Sequence, residues 1–193
     1  MDTETYLTHV KSEFSRRVAA NFIVCFVWFA LSCILSYLSV KFFARDIVYV
    51  VTSPISRESV GSVIGTTLVS QLPNTAAMFI LFCSVFTVLS RWITVLLCAW
   101  KGTALGVTTC LLMKGSVLGI SERSVYSLVA FFLASVLFSS LTALSRVYSE
   151  VICHTSVAGE RKYTSSLVLE YVKLFLIIAG GIFLLGSIST ILI

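Results

Sequence analysis

The sequence predicts an all-α fold, a polytopic membrane helix bundle of about five transmembrane helices with short interfacial helices in its first loop. Three observations predict it. The chain is 58% hydrophobic and 12% charged, with a mean hydropathy of +0.99. Soluble domains lie nearer half apolar and a quarter charged. Several stretches run to about 20 residues with almost no charge, enough to cross a hydrocarbon core of roughly 30 Å. The charged residues fall mainly between those stretches, where they set topology.

Residues 1–17 are polar, close on Arg16-Arg17, and read as a cytoplasmic tail. The apolar run at 18–40 is too long for the core of a signal peptide, and no small-x-small pattern follows it. It reads as an uncleaved first span, ended by Lys41, Arg45 and Asp46. Residues 41–74 form an outward loop. Within it Pro54 marks a turn, and Val60, Val63, Ile64 and Leu68 share one face at helical spacing. That pattern predicts short helices at the interface or tucked into the bundle.

Pro73 suits the first turn of a helix, so it opens a second span at 75–90, which Arg91 ends. A third span covers 92–113 and a fourth 125–144, with Lys114, Gly115, Glu122 and Arg123 between them. Residues 145–171 are more polar and read as a cytoplasmic loop. A fifth span occupies 172–193. Five crossings put the termini on opposite sides. The N-terminal side carries Lys11, Arg16, Arg17, Arg91, Arg146, Arg161, Lys162 and Lys173; the other carries Lys41, Arg45, Arg57, Lys114 and Arg123. The positive-inside rule then places the N-terminus in the cytoplasm and the C-terminus outside.

Lys101 interrupts the third span. A turn at Lys101-Gly102 would free it, but would bury Arg91 in one helix and Lys114 in the next. A charge near the bilayer centre costs about 2.5–3.5 kcal/mol on insertion scales, so one buried charge is favoured over two. Thr94, Lys101 and Thr108 recur every seven residues, and Cys98 joins their stripe. Such a stripe turns toward other helices. Gly102 and Gly106 make a Gly-x-x-x-Gly pair that lets a second helix approach closely. Ser32, Ser36 and Ser39 in the first span, and Ser135, Ser139 and Thr142 in the fourth, form matching small-polar stripes that serve packing or line a hydrophilic path. No Asp or Glu lies in the centre of any span. Lys101 therefore bonds to hydroxyls or carbonyls, snorkels to water, or meets a partner.

Chemistry of other kinds finds little support. The +5 net charge is dispersed, without the basic patch that nucleic acid requires. Five of the six cysteines lie in apolar stretches and read as small apolar residues. Cys153-His154 has no second pair to complete a metal site. No nucleophile is spaced with His9 or His154 for a triad, and no phosphate loop is present, so neither an enzyme nor a cofactor is expected.

The order of these features resembles the stage II sporulation protein M family of bacterial multi-pass membrane proteins. An early span and long loop precede "SQLPNTAAMFILF", where Ser70, Leu72 and Asn74 match an Asn-containing lead-in to the second span. "WKGTALGVTTCLL" is similar to the family's Asn-Gly-x-x-x-Gly segment, with Gly102 and Gly106 on the glycines and Lys101 at the polar first position. The resemblance implies a non-catalytic scaffold in the bacterial cell membrane. It would recruit cell-wall hydrolases resembling sporulation proteins D and P for septal peptidoglycan remodelling and engulfment. Together with the polar stripe of Thr94, Lys101 and Thr108, it makes Lys101, Gly102, Gly106, Asn74, Thr94 and Thr108 candidates for partner docking or helix packing, with homo-oligomerisation open. The competing reading is a subunit of a small-solute transporter or channel, with Lys101 lining a polar path.

Overall fold

A computed structural model describes residues 3–43, 60–115, 122–157 and 161–192, and every element in it is helical. The helices are α1 (Thr3–Phe43), α2 (Val60–Ser84), α3 (Ser90–Gly115), α4 (Glu122–Val157) and α5 (Arg161–Leu192). Four are long and apolar enough to cross a membrane, with candidate spans at Glu13–Phe42 in α1, Ser90–Leu111 in α3, Val125–Ser156 in α4 and Thr164–Ser189 in α5. Helices are what lipid permits, because hydrocarbon offers no partner to an open backbone N–H or C=O.

α4 lies at the centre and packs on all four other helices. Half of its apolar window is buried, against 11% of that of α1. α1 lies along α3 and α4, while α2 lies chiefly against α5. Ile23, Ile34 and Leu35 on α1, and Leu176 and Ile177 on α5, project outward. Water would penalise that pattern, and lipid accepts it.

Several boundaries differ from the expected ones. α2 is one helix from Val60 to Ser84, and Pro73 lies inside it rather than in its first turn. Proline removes one hydrogen bond of the helical ladder, and intramembrane helices tolerate that loss where neighbours support them. Residues 75–90 therefore do not form a span of their own. The helix stops at Ser84, and residues 85–89 make the turn, which lies before Arg91 rather than at it. Thr87 N donates to the Ser84 carbonyl at 3.0 Å and Ser90 N to the Thr87 carbonyl at 3.3 Å. Ser149 Oγ of α4 also donates to the Thr87 carbonyl, at 3.3 Å, and ties the turn to the central helix. Residues 145–157 and 161–171 are helical rather than loop: α4 continues to Val157 and α5 begins at Arg161. The expected helices in residues 46–59 lie outside the described residues, whereas residues 60–71 belong to α2.

The main core gathers near the turn between α2 and α3. Phe82 of α2 meets Phe175 of α5 at 5.2 Å between ring centroids, and Tyr148 of α4 meets Tyr171 of α5 at 5.3 Å. Phe14 of α1 closes edge-on against Tyr148 at 5.5 Å. Tyr171 is fully buried, and its hydroxyl lies 3.0 Å from Ser145 Oγ, so the polar end of the ring is satisfied inside the core.

Candidate functional site

Lys101 lies midway along α3 and is 2% exposed. Along the helix it stands about 15 Å from Arg91, half of a 30 Å hydrocarbon core. Its Nζ donates to Asn74 Oδ1 of α2 at 2.7 Å. The same ammonium lies over the Phe131 ring of α4, 4.7 Å from the centroid, and at 6.0 Å from the Trp100 ring. Asn74 Nδ2 in turn donates to Gln71 Oε1, one turn earlier on α2, at 2.8 Å. The Gln71 carboxamide rests against Gly186 of α5, where an added Cβ would lie 2.7 Å from Oε1. The chain of contacts therefore joins α2, α3, α4 and α5.

Magnitudes show why this arrangement is tolerable. A hydrogen bond to a charged group contributes about 1.5–3 kcal/mol. A desolvated cation–π contact adds about 2 kcal/mol. Together they offset the roughly 2.5–3.5 kcal/mol of placing a lysine near the bilayer centre.

The glycine pair serves a different contact. A Cβ on Gly102 would strike the Phe29 carbonyl of α1, and one on Gly106 the Cys33 carbonyl. Both contacts pair residues 73 apart in the sequence, so α1 and α3 run parallel in a fixed register. Buried Cys98 and Cys110 extend the row of small residues at four-residue spacing. Cys98 Sγ lies 3.1 Å from Thr142 Oγ1 of α4, within a cluster that also holds Cys25 and Phe29. All six cysteines are unpaired.

The other sequence candidates divide. Thr94 is buried and donates to the Arg91 carbonyl at 3.1 Å; Thr108 is half-buried and donates to the Ala104 carbonyl at 2.8 Å. Both hydroxyls are used within α3, and neither touches the Lys101 ammonium. Ser135, Ser139 and Thr142 are buried and bonded to carbonyls of α4. On α1, Ser32, Ser36 and Ser39 flank an open groove with Thr103. The structure thus joins Lys101 to Asn74, sets Gly102 and Gly106 against α1, and leaves Thr94 and Thr108 apart.

Gln71 and Phe131 are members of the site that the sequence did not single out. Gln71 stands three residues before Asn74, the spacing at which two side chains meet on a helix face, so it was within reach. Phe131 carries no such signal, because only the packing of α4 on α3 brings its ring to the ammonium. No protein-family model, curated protein or solved structure matches the chain.

Proposed function

We propose that this chain is a non-catalytic membrane anchor, a helix bundle that holds partner proteins at the membrane. Among the described residues, the observation that carries this reading is the enclosure of Lys101. A charge that lines a path faces water or an exchanging ligand. This one is taken up by Asn74 and Phe131 and fixes α2 and α4 against α3. The tight contacts of Gly102 and Gly106 with α1 support it, because they suit a rigid platform better than a moving gate.

In this reading α2 also crosses the membrane, since it runs antiparallel to α3 at the same depth. The cation-rich end, with Arg16, Arg17, Arg91, Arg146 and Lys173, faces the cytoplasm. The partner class is the one implied by the resemblance to stage II sporulation protein M: peptidoglycan hydrolases resembling sporulation proteins D and P, held at a bacterial septal or engulfing membrane. The second reading, a transporter or channel subunit, draws on the Lys101–Asn74–Gln71 chain, which lies deep enough to meet a solute.

A crosslinked pull-down from native membranes separates the two. The anchor reading expects cell-wall hydrolases among the specific partners, with recovery unchanged when Thr94 or Thr108 is replaced by Val. Recovery of an ATPase or a solute-binding protein, with no hydrolase, would move the assignment to transport.

A further inference from the structure

At the end of the bundle where α2 turns into α3, a cavity of about 280 Å³ opens between the first turn of α3 and the turn of α4 that carries Arg146 and Glu150. Val88, Ser90, Arg91, Arg146, Ser149 and Glu150 line it. Ser90 is 2% exposed, and its Oγ has no hydrogen-bond partner among the described residues. Arg146, with its side chain 12% exposed, has an Nε that makes no hydrogen bond and reaches only the Glu150 carboxylate, at 4.0 Å. Buried donors are nearly always satisfied, so two orphans on one cavity wall mark a place for an acceptor.

The charges define that acceptor. Two guanidiniums face one carboxylate, and Glu150 reaches them only loosely, at 3.9 Å from Arg91 and 4.0 Å from Arg146. The N-terminus of α3 adds its own partial positive charge, so Arg91 stands at the helix end where a cation is least favoured. An anion relieves all of these strains at once. A planar guanidinium is suited to phosphate oxygens.

Depth narrows the source. That depth rests on the proposed membrane placement: with Lys101 at the bilayer centre, the cavity, about 15 Å away along α3, stands near the edge of the hydrocarbon, at headgroup level. Val88, Leu89 and Trp92 beside it are each more than 60% exposed, a surface suited to the acyl and headgroup boundary. We infer that this cavity is a binding site for a phosphate oxyanion, supplied by the headgroup of an anionic phospholipid.

The test titrates the detergent-solubilised full chain with short-chain phosphatidylglycerol, with short-chain phosphatidylcholine and with inorganic phosphate, following Tm. Phosphatidylglycerol should raise Tm at concentrations about tenfold lower than phosphatidylcholine. Arg146→Gln should shift that midpoint upward about tenfold, and Ser90→Ala should shift it upward by a smaller factor. Glu150→Gln, which removes the competing carboxylate at a half-exposed position, should shift it downward. That variant keeps the proposal testable even where Arg146→Gln does not fold. Protection by inorganic phosphate with the same dependence on Arg146, and none by phosphatidylglycerol, would retain the oxyanion site and overturn the lipid source. Equal titration by both lipids, unchanged in Glu150→Gln and Ser90→Ala, would overturn the site.

Discussion

Asn74 does two things at once: it accepts from Lys101 through Oδ1 and donates to Gln71 through Nδ2. An amide suits this place better than a carboxylate, which could only accept, or a hydroxyl, which has a shorter reach. Phe131 then takes the other side of the ammonium with a ring face that needs no hydrogen bond. Phe131→Leu should keep an apolar side chain, somewhat smaller, but lose the ring quadrupole, lowering stability by about 1–2 kcal/mol in a thermal melt in detergent. Thr94→Val and Thr108→Val, whose hydroxyls bond only carbonyls of their own helix, should change Tm little. Lys101 stands out in the sequence as a charge in an apolar run, and Asn74 is singled out there only by the family resemblance, at the lead-in to the second span. Their pairing could not be read there, because it depends on where α2 ends and how it returns as α3.

Gly102 and Gly106 govern the contact between α1 and α3, and here the sequence was legible. Glycines at this spacing in an apolar helix predict a close approach, and both meet carbonyls of α1. Gly180 carries no such duty. A Cβ on Gly180 would meet nothing within 4 Å. Gly102→Val should therefore cost about 3 kcal/mol or more, while Gly180→Ala should stabilise by about 0.5–1 kcal/mol through helix propensity. Comparing the two variants by thermal melt separates a contact effect from a general intolerance of glycine replacement. Helix ends were harder to read. Hydropathy locates where a helix leaves the apolar layer, not where it stops. Residues 145–157 are polar enough to look like a loop, yet they continue α4. Pro73 misled for a related reason: its local preference for a first turn is outweighed by the tertiary support α2 receives.

At the scale of the whole molecule, the apolar character of the bundle was written in composition, and the four membrane-length helices follow from it. The arrangement of those helices around α4 was not. It comes from contacts between distant residues, such as Ser127 with Ser189 at 3.1 Å and Cys98 with Thr142. If α2 crosses as proposed, single cysteines placed near residue 17 and near residue 116, in a background with the native six replaced, should label from opposite faces of sealed membranes. Labelling of both from one face would contradict the proposed topology.

The central claim is that Lys101 ties the bundle together internally. A double-mutant cycle on Lys101 and Asn74, measured as unfolding free energy in one detergent, tests it most directly. Asn74→Leu alone leaves a buried cation without its acceptor, and Lys101→Met alone leaves the Asn74 Oδ1 without its donor. With both replaced, no charge remains to strand. The account predicts a double variant more stable than Asn74→Leu alone, with a coupling energy of about 1.5–3 kcal/mol. Additive single effects, with no coupling, would show that the ammonium finds its partner elsewhere and would contradict the account.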